Sequence, residues 1–202
     1  VRLIALDTVN RFGGWQGCLH REQFDWLSHM LDESKDKYVI LTSHHPLENL
    51  FNGYVPEEVS APALEEEVAR LLEKHPNVIL WFAGHVHDHK ISQRKNSDGS
   101  HGFWEIRTGS HIDWPQQSRT IEIVKSGNGK IAIGTVVFDH AGPVIFNGTP
   151  DELADPVALA GLSRLLAAND WQRQNGGPFA LELMEGQPED RNIWLWANDP
   201  LK

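Results

Sequence analysis

Histidine is the residue type best placed to do chemistry in this chain. There are 11 histidines in 202 residues, against one cysteine, Cys18. With no thiolate cluster and no disulfide framework, a metal ion must be held by imidazole and oxygen ligands. Three histidines stand at informative places. His44 ends the apolar run Tyr38-Val39-Ile40-Leu41-Thr42-Ser43, with Pro46 two residues on. His85 and His87 lie in Gly84-His85-Val86-His87, just after the apolar run Val78-Ile79-Leu80-Trp81-Phe82. In a parallel α/β sheet the carboxyl ends of neighbouring strands open on one crevice, so two such strands can bring three imidazoles to one place. Gly84 is expected to let the backbone turn sharply, and His85 and His87 to face one side of an extended segment. Imidazole suits Zn, Fe, Mn, Co or Ni, ions that polarise phosphoryl oxygens and activate water near neutral pH.

The elements that must position these residues alternate in type. Residues 2–6 read as a strand, followed by a Gly-rich loop at Gly13, Gly14 and Gly17. Phe24, Leu27 and Leu31 have the spacing of one helical stripe over about 20–34, and Leu64, Val68, Leu71 and Leu72 that of another, with Pro62 in its first turn. Each helix precedes one of the two apolar runs. Residues 103–108, 119–124 and 131–138 then read as strands, the last two joined by the turn Gly127-Asn128-Gly129. Thr149-Pro150-Asp151-Glu152 has capping-box spacing, Asp155-Pro156 can restart the helix, and Leu159, Leu162 and Leu166 carry it to about 170. An apolar island remains at 193–196. The pattern predicts α/β architecture with one mixed sheet and flanking helices on one face, its other face awaiting a partner.

Composition narrows the function classes. A hydrophobic fraction of 40% supports a folded core. A formal charge of −10 argues against a non-specific nucleic-acid binder, which needs a basic field, and no nucleic acid is expected as partner. It leaves room for a small phosphorylated substrate, since bound cations dominate local charge. No run approaches the roughly 18 apolar residues of a membrane helix. The opening Val1-Arg2-Leu3-Ile4-Ala5-Leu6, without initiator Met or basic leader, reads as an internal cut.

Two segments together, Leu41-Thr42-Ser43-His44-His45-Pro46 and Phe82-Ala83-Gly84-His85-Val86-His87, resemble the last two signatures of the calcineurin-like metallophosphoesterase superfamily. Leu6-Asp7-Thr8, Gly17-x-Leu19 and Gln23-x-x-Trp26-Leu27 resemble the stretch before them in its cyclic-nucleotide phosphodiesterase and purple-acid-phosphatase-like branches. The resemblance covers about residues 1–90 and implies the C-terminal half of a metallophosphoesterase β-sandwich. Residues 1–140 would be part of the catalytic domain, and 141–202 a helix and extended tail packed on or beside it. The implied cofactors are two divalent or trivalent ions (Mn, Fe, Zn or Co). His44 and His85 would bind one ion and His87 the other. The remaining ligands and the usual catalytic His belong to Asp-x-His, Gly-Asp-x-x-Asp and Gly-Asn-His-Asp/Glu motifs, none of which occurs in these 202 residues. The resemblance thus implies a phosphoesterase whose N-terminal half lies elsewhere, and a chain inactive by itself.

Other residues have two readings each. His45 is either the ligand in place of His44 or a packed, hydrogen-bonded neighbour, and the family pattern puts the ligand first. Asp88 and His89 either touch substrate or orient His87, or else lie in a solvated loop. His111 and Asp113 either reach the mouth of the site or make a turn. Asp7 is expected to stabilise a turn, and Trp114 with the loop 47–56 to wall the pocket. Two other functions fit the same residues: a non-catalytic binding or structural module on a phosphoesterase fold, and a single structural zinc. Structural zinc needs a closed four-ligand cage, and no fourth ligand presents itself.

Overall fold

The computed structural model describes residues 1–97, 99 and 101–202. Its strands are β1 (Arg2–Leu6), β2 (Val39–Ser43), β3 (Val78–Ala83), β4 (Lys90–Lys95), β5 (Gly102–Arg107), β6 (Gln117–Lys125), β7 (Lys130–Asp139) and β8 (Ile193–Asn198). Helices α1 (Arg21–Asp32) and α2 (Glu65–Glu73) connect the early strands. Helices α3 (Pro150–Ala154), α4 (Pro156–Ala168), α5 (Trp171–Gln174) and α6 (Leu181–Met184) follow β7. None of the described helices is long and apolar enough to cross a membrane.

The first sheet has the order β1-β2-β3-β5-β4. β1, β2, β3 and β5 run parallel, and β4 pairs antiparallel with β5 at the edge. This is the mixed sheet with flanking helices that the strand–helix alternation predicts. One face carries Ile4, Leu6, Val39, Leu41 and Trp81, packed against Leu27 and Leu31 of α1 and Val68, Leu71 and Leu72 of α2. Helical spacing puts those leucines on one stripe of each helix, and burying that stripe is what holds the helices to the sheet. Pro62 lies before α2, whose N-cap is Leu64, because Ala63 pairs with Leu19 in an isolated bridge.

The strands beyond 116 leave this sheet. β6, β7 and β8 form a second, antiparallel sheet of three strands in that order. Ile131, Ile133 and Leu195 from it pack with Ile79, Leu80 and Ile106 of the first sheet. The partner expected for the open face is therefore supplied in part by this chain. β4 and β8 are the strands that sequence reading missed. β4 reads Lys-Ile-Ser-Gln-Arg-Lys, an edge strand whose charges hide its period of two. β8 is the apolar island, with Ile193, Leu195 and Ala197 turned inward and Trp194 and Trp196 half-exposed.

The capping box at Thr149 and Glu152 is present in both halves, and Asp155 caps α4 ahead of Pro156. The buried face of α4 is not the leucine stripe. Leu159 and Leu166 are exposed, whereas Ala158 and Gly161 are buried. The reason is close approach: a Cβ at Gly161 would stand 2.3 Å from the Pro143 carbonyl oxygen. A leucine face cannot come so near.

Candidate metal centre

The carboxyl ends of β1, β2, β3 and β5 point the same way, and each strand contributes one part of the site. β2 runs into His44 and His45, and β3 into His85 and His87. Ser43 fixes the first turn: its hydroxyl donates to the His45 carbonyl at 2.6 Å and accepts the Trp81 indole N–H at 2.7 Å. The amide of Gly84 donates to the His44 carbonyl at 3.0 Å, which ties the two turns together.

His44 Nε2 and His85 Nδ1 face each other at 3.1 Å. His44, His45 and His85 each offer a nitrogen within 4.8 Å of the others, the one such group among the described residues. Burial, then the neighbouring charge of His87, pulls His44 below the ordinary histidine range. Burial, helped by His45, His44 and His87, takes His85 down to about 4. Both rings are therefore neutral at pH 7, with lone pairs to give. Such a donor set fits an ion, because bonds of about 2.0–2.1 Å to two imidazoles bring their nitrogens about this close.

His45 is differently engaged. Its Nε2–H donates to the Trp15 carbonyl at 3.1 Å, and its Nδ1 accepts from the Thr8 hydroxyl at 2.8 Å. Thr8 Oγ1 also accepts the His45 amide at 3.1 Å. With both ring nitrogens used and 3% exposure, His45 must give up a bond before it can bind an ion. Its ring instead supports the others, 4.7 Å from the His44 centroid and 4.2 Å from that of His85.

The Gly-His-Val-His segment is not extended. His85 and His87 have φ of 67° and 65°, and the Val86 amide donates to the Gly84 carbonyl at 2.8 Å. That bond spans two residues, a γ-turn centred on a left-handed His85. The sharp turning thus falls on the histidines, where it costs strain, and not on Gly84. Residues held this way need support from their surroundings, and His87 has it. His87 Nδ1 lies 2.5 Å from the Asp113 carboxylate, which comes from the loop after β5. His87 stands outside the tight group of three but close enough for its charge to act on both His44 and His85.

The other sequence candidates divide. Asp113 joins the site. His111 does not: its Nε2 meets the Ser118 hydroxyl at 2.9 Å on an exposed loop. His89 is buried, not in a solvated loop. Its Nε2 meets Gln117 Oε1 at 3.1 Å, while its Nδ1 accepts from the Gly109 amide and Arg119. Burial, and then Arg119, lowers it to about 4. Asp88 is also buried, paired with Arg107 at 2.7 Å; burial pushes its carboxyl up while Arg107 opposes. Asp7 accepts the Val9 amide at 3.0 Å in a turn, as expected. The Arg164 guanidinium lies over the Trp114 ring, 5.2 Å from its centroid.

Sequence reading missed three groups of residues. Trp15 is 74% exposed and lies over His85, ring centroids 5.9 Å apart and planes at 25°. Gly17 lies against His45, whose Cγ would be 2.6 Å from a Cβ placed there. A ladder of charges joins the two histidine turns. Arg94 reaches Glu48 and Glu105 at 2.8 and 2.7 Å, while Arg107 joins Glu48 to Asp88. The sequence signal for that ladder was the inward charge in strands otherwise apolar, Glu105 and Arg107 of β5.

Residues 4–89 match the family described as calcineurin-like phosphoesterase. No curated protein matches the sequence significantly. Among solved structures, a dimetal phosphatase from Danio rerio is similar at 21% identity and a TM-score of 0.38. The match takes in 58% of this chain and 35% of that one. Residues 4–89, which hold both histidine turns and the strands that aim them, are thus the part of this chain that is similar to the calcineurin-like phosphoesterase family.

Proposed function

We propose that this chain supplies the histidine share of a two-metal site that hydrolyses phosphate mono- or diesters. The observation that carries the reading is the facing pair, His44 Nε2 and His85 Nδ1 at 3.1 Å, on the ends of adjacent parallel strands. These two rings, neutral at pH 7, hold one ion. His87, oriented by Asp113, holds the second, and His45 buttresses the pair from behind. When bound, such ions supply Lewis acidity toward the phosphoryl group. Trp15 walls the approach to His85 on its exposed side. Among the described residues no carboxylate joins the three-histidine group, so the reading requires acidic ligands from a longer protein. The 202 residues alone should then bind metal partially and turn nothing over.

The test uses the longer protein with p-nitrophenyl phosphate and its bis ester, in the presence of Mn, Fe, Zn or Co. His44→Ala and His85→Ala should each lower kcat by at least about a hundredfold, an effect on the scale of losing a main electrostatic group. Retention of wild-type turnover by both variants sinks the assignment. A protein that binds metal at these histidines yet hydrolyses neither ester would instead be a non-catalytic module on this fold.

A further inference from the structure

The loop between β5 and β6 is held from outside by the helices that follow β7. Gln116 Nε2 donates to Ser163 Oγ of α4 at 3.0 Å, and the Arg164 guanidinium lies over the Trp114 ring. Arg173 of α5 reaches Asp113 Oδ2, Nη2 to oxygen, at 3.4 Å. That oxygen is the one 2.5 Å from His87 Nδ1.

Arg173 is an unusual residue in a four-residue helix. Its side chain is 6% exposed. A guanidinium is permanently charged, so burying it is costly unless its donors are met by an anion and by hydrogen-bond acceptors. Two such partners are present: the Asp113 carboxylate and the Phe179 carbonyl, the latter at 3.1 Å from Nη1. The Phe179 ring lies 5.6 Å from the guanidinium carbon and closes the pocket. Asp113 in turn has both a cation and an imidazole on one oxygen. On that oxygen the carboxylate accepts the ring N–H of its histidine neighbour. His87 is thereby held as the Nδ1–H tautomer, with Nε2 free to face a ligand.

We infer that Arg173 and Asp113 are positioning residues for His87, so that the segment after β7 sets the affinity of the metal centre built by residues 4–89. This rests on the reading of His87 as a ligand. The tautomer of His87, however, can be measured without any metal.

The 202-residue chain labelled with 15N reports each histidine tautomer by long-range proton–nitrogen correlation, and competition with a chromophoric chelator reports Zn(II) affinity. His87 should appear as Nδ1–H, and His89 as Nε2–H, because His89 Nδ1 is occupied by the Gly109 amide and Arg119. Arg173→Met and Asp113→Asn should each move His87 toward the other tautomer and weaken Zn(II) binding about 10–100-fold, the usual loss for a group supporting a ligand histidine. Combined, they should cost little more than Asp113→Asn alone. His89 stays Nε2–H throughout, which separates a local effect from unfolding. Arg173→Lys keeps the charge and serves if the Met variant fails to fold: it should retain the wild-type tautomer. An Nε2–H His87 in the wild type overturns the inference, as does an Arg173→Met variant that folds with tautomer and affinity unchanged. Loss of Zn(II) binding in neither His87→Ala nor His44→Ala refutes the metal reading instead, and leaves the tautomer result to decide the roles of Arg173 and Asp113.

Discussion

At the scale of single residues, the site is built from tight approaches as much as from ligands. Gly17 and Gly84 make the contrast. Neither has a positive φ, so conformational freedom is not what requires glycine at either. At Gly17 a Cβ would lie 2.6 to 2.9 Å from the His45 ring and Cβ, whereas at Gly84 the nearest atom is the His44 carbonyl at 3.8 Å. Gly17→Ala should therefore push His45 off Thr8 and Trp15 and destabilise the chain by about 1–3 kcal/mol, the range for overpacking. Gly84→Ala should change stability by less than about 0.5 kcal/mol, as for a substitution into open space. Urea denaturation of both variants measures the difference. Equal losses would mean that the turn at 84 carries the strain, contrary to the dihedrals of His85 and His87.

At the scale of elements, two loops that begin on different strands must keep a common geometry. The charge ladder through Glu48, Arg94, Glu105, Arg107 and Asp88 does this, with Glu105 at its buried end. Glu105 is 2% exposed and accepts both the Leu47 amide at 3.0 Å and Arg94 at 2.7 Å. Removing it leaves an amide unpaired and a half-buried cation with one partner fewer. Glu105→Leu should therefore destabilise by about 2–4 kcal/mol, below the full cost of stranding a buried charge because Arg94 keeps Glu48 and some solvent. The same variant should loosen the turn after His44, seen as faster hydrogen exchange at the Leu47 and Leu50 amides. A loss below about 0.5 kcal/mol would show that the ladder is surface decoration.

At the scale of the whole molecule, His89 joins the two sheets. It follows β3 and contacts Gln117 and Arg119 of β6, and its backbone amide donates to the carbonyl of Met184, the last residue of α6, at 3.1 Å. Its folded pKa of about 4 lies below the ordinary 6.5, with burial the main cause. Between those values the unfolded chain binds the proton and the folded chain does not, so stability rises with pH. The contribution is complete above pH 6.5 and is lost as pH falls toward 4, to a total on the order of 3 kcal/mol. A cation on the neighbouring histidines would lower the folded value further, leaving the sign unchanged. His89→Gln, which does not titrate, should show a shallower fall in urea midpoint between pH 7 and 5; an identical slope would place the titration elsewhere. The sequence by itself determined β1, β2, β3, β5, β6 and β7, the helices on one face and the places of the two histidine segments, because these depend on local spacing and on burial patterns that repeat along the chain. It also marked His44, His85 and His87. Only the tertiary structure decided that β6, β7 and β8 form a separate sheet, since strand pairing is a matter of which faces meet. It alone decided that His45 is spent on Thr8 and Trp15, and that His87 leans on Asp113 and, through it, on Arg173. Partners 26 and 60 residues apart from these positions leave no periodic trace; they meet only because separate elements are packed against one loop.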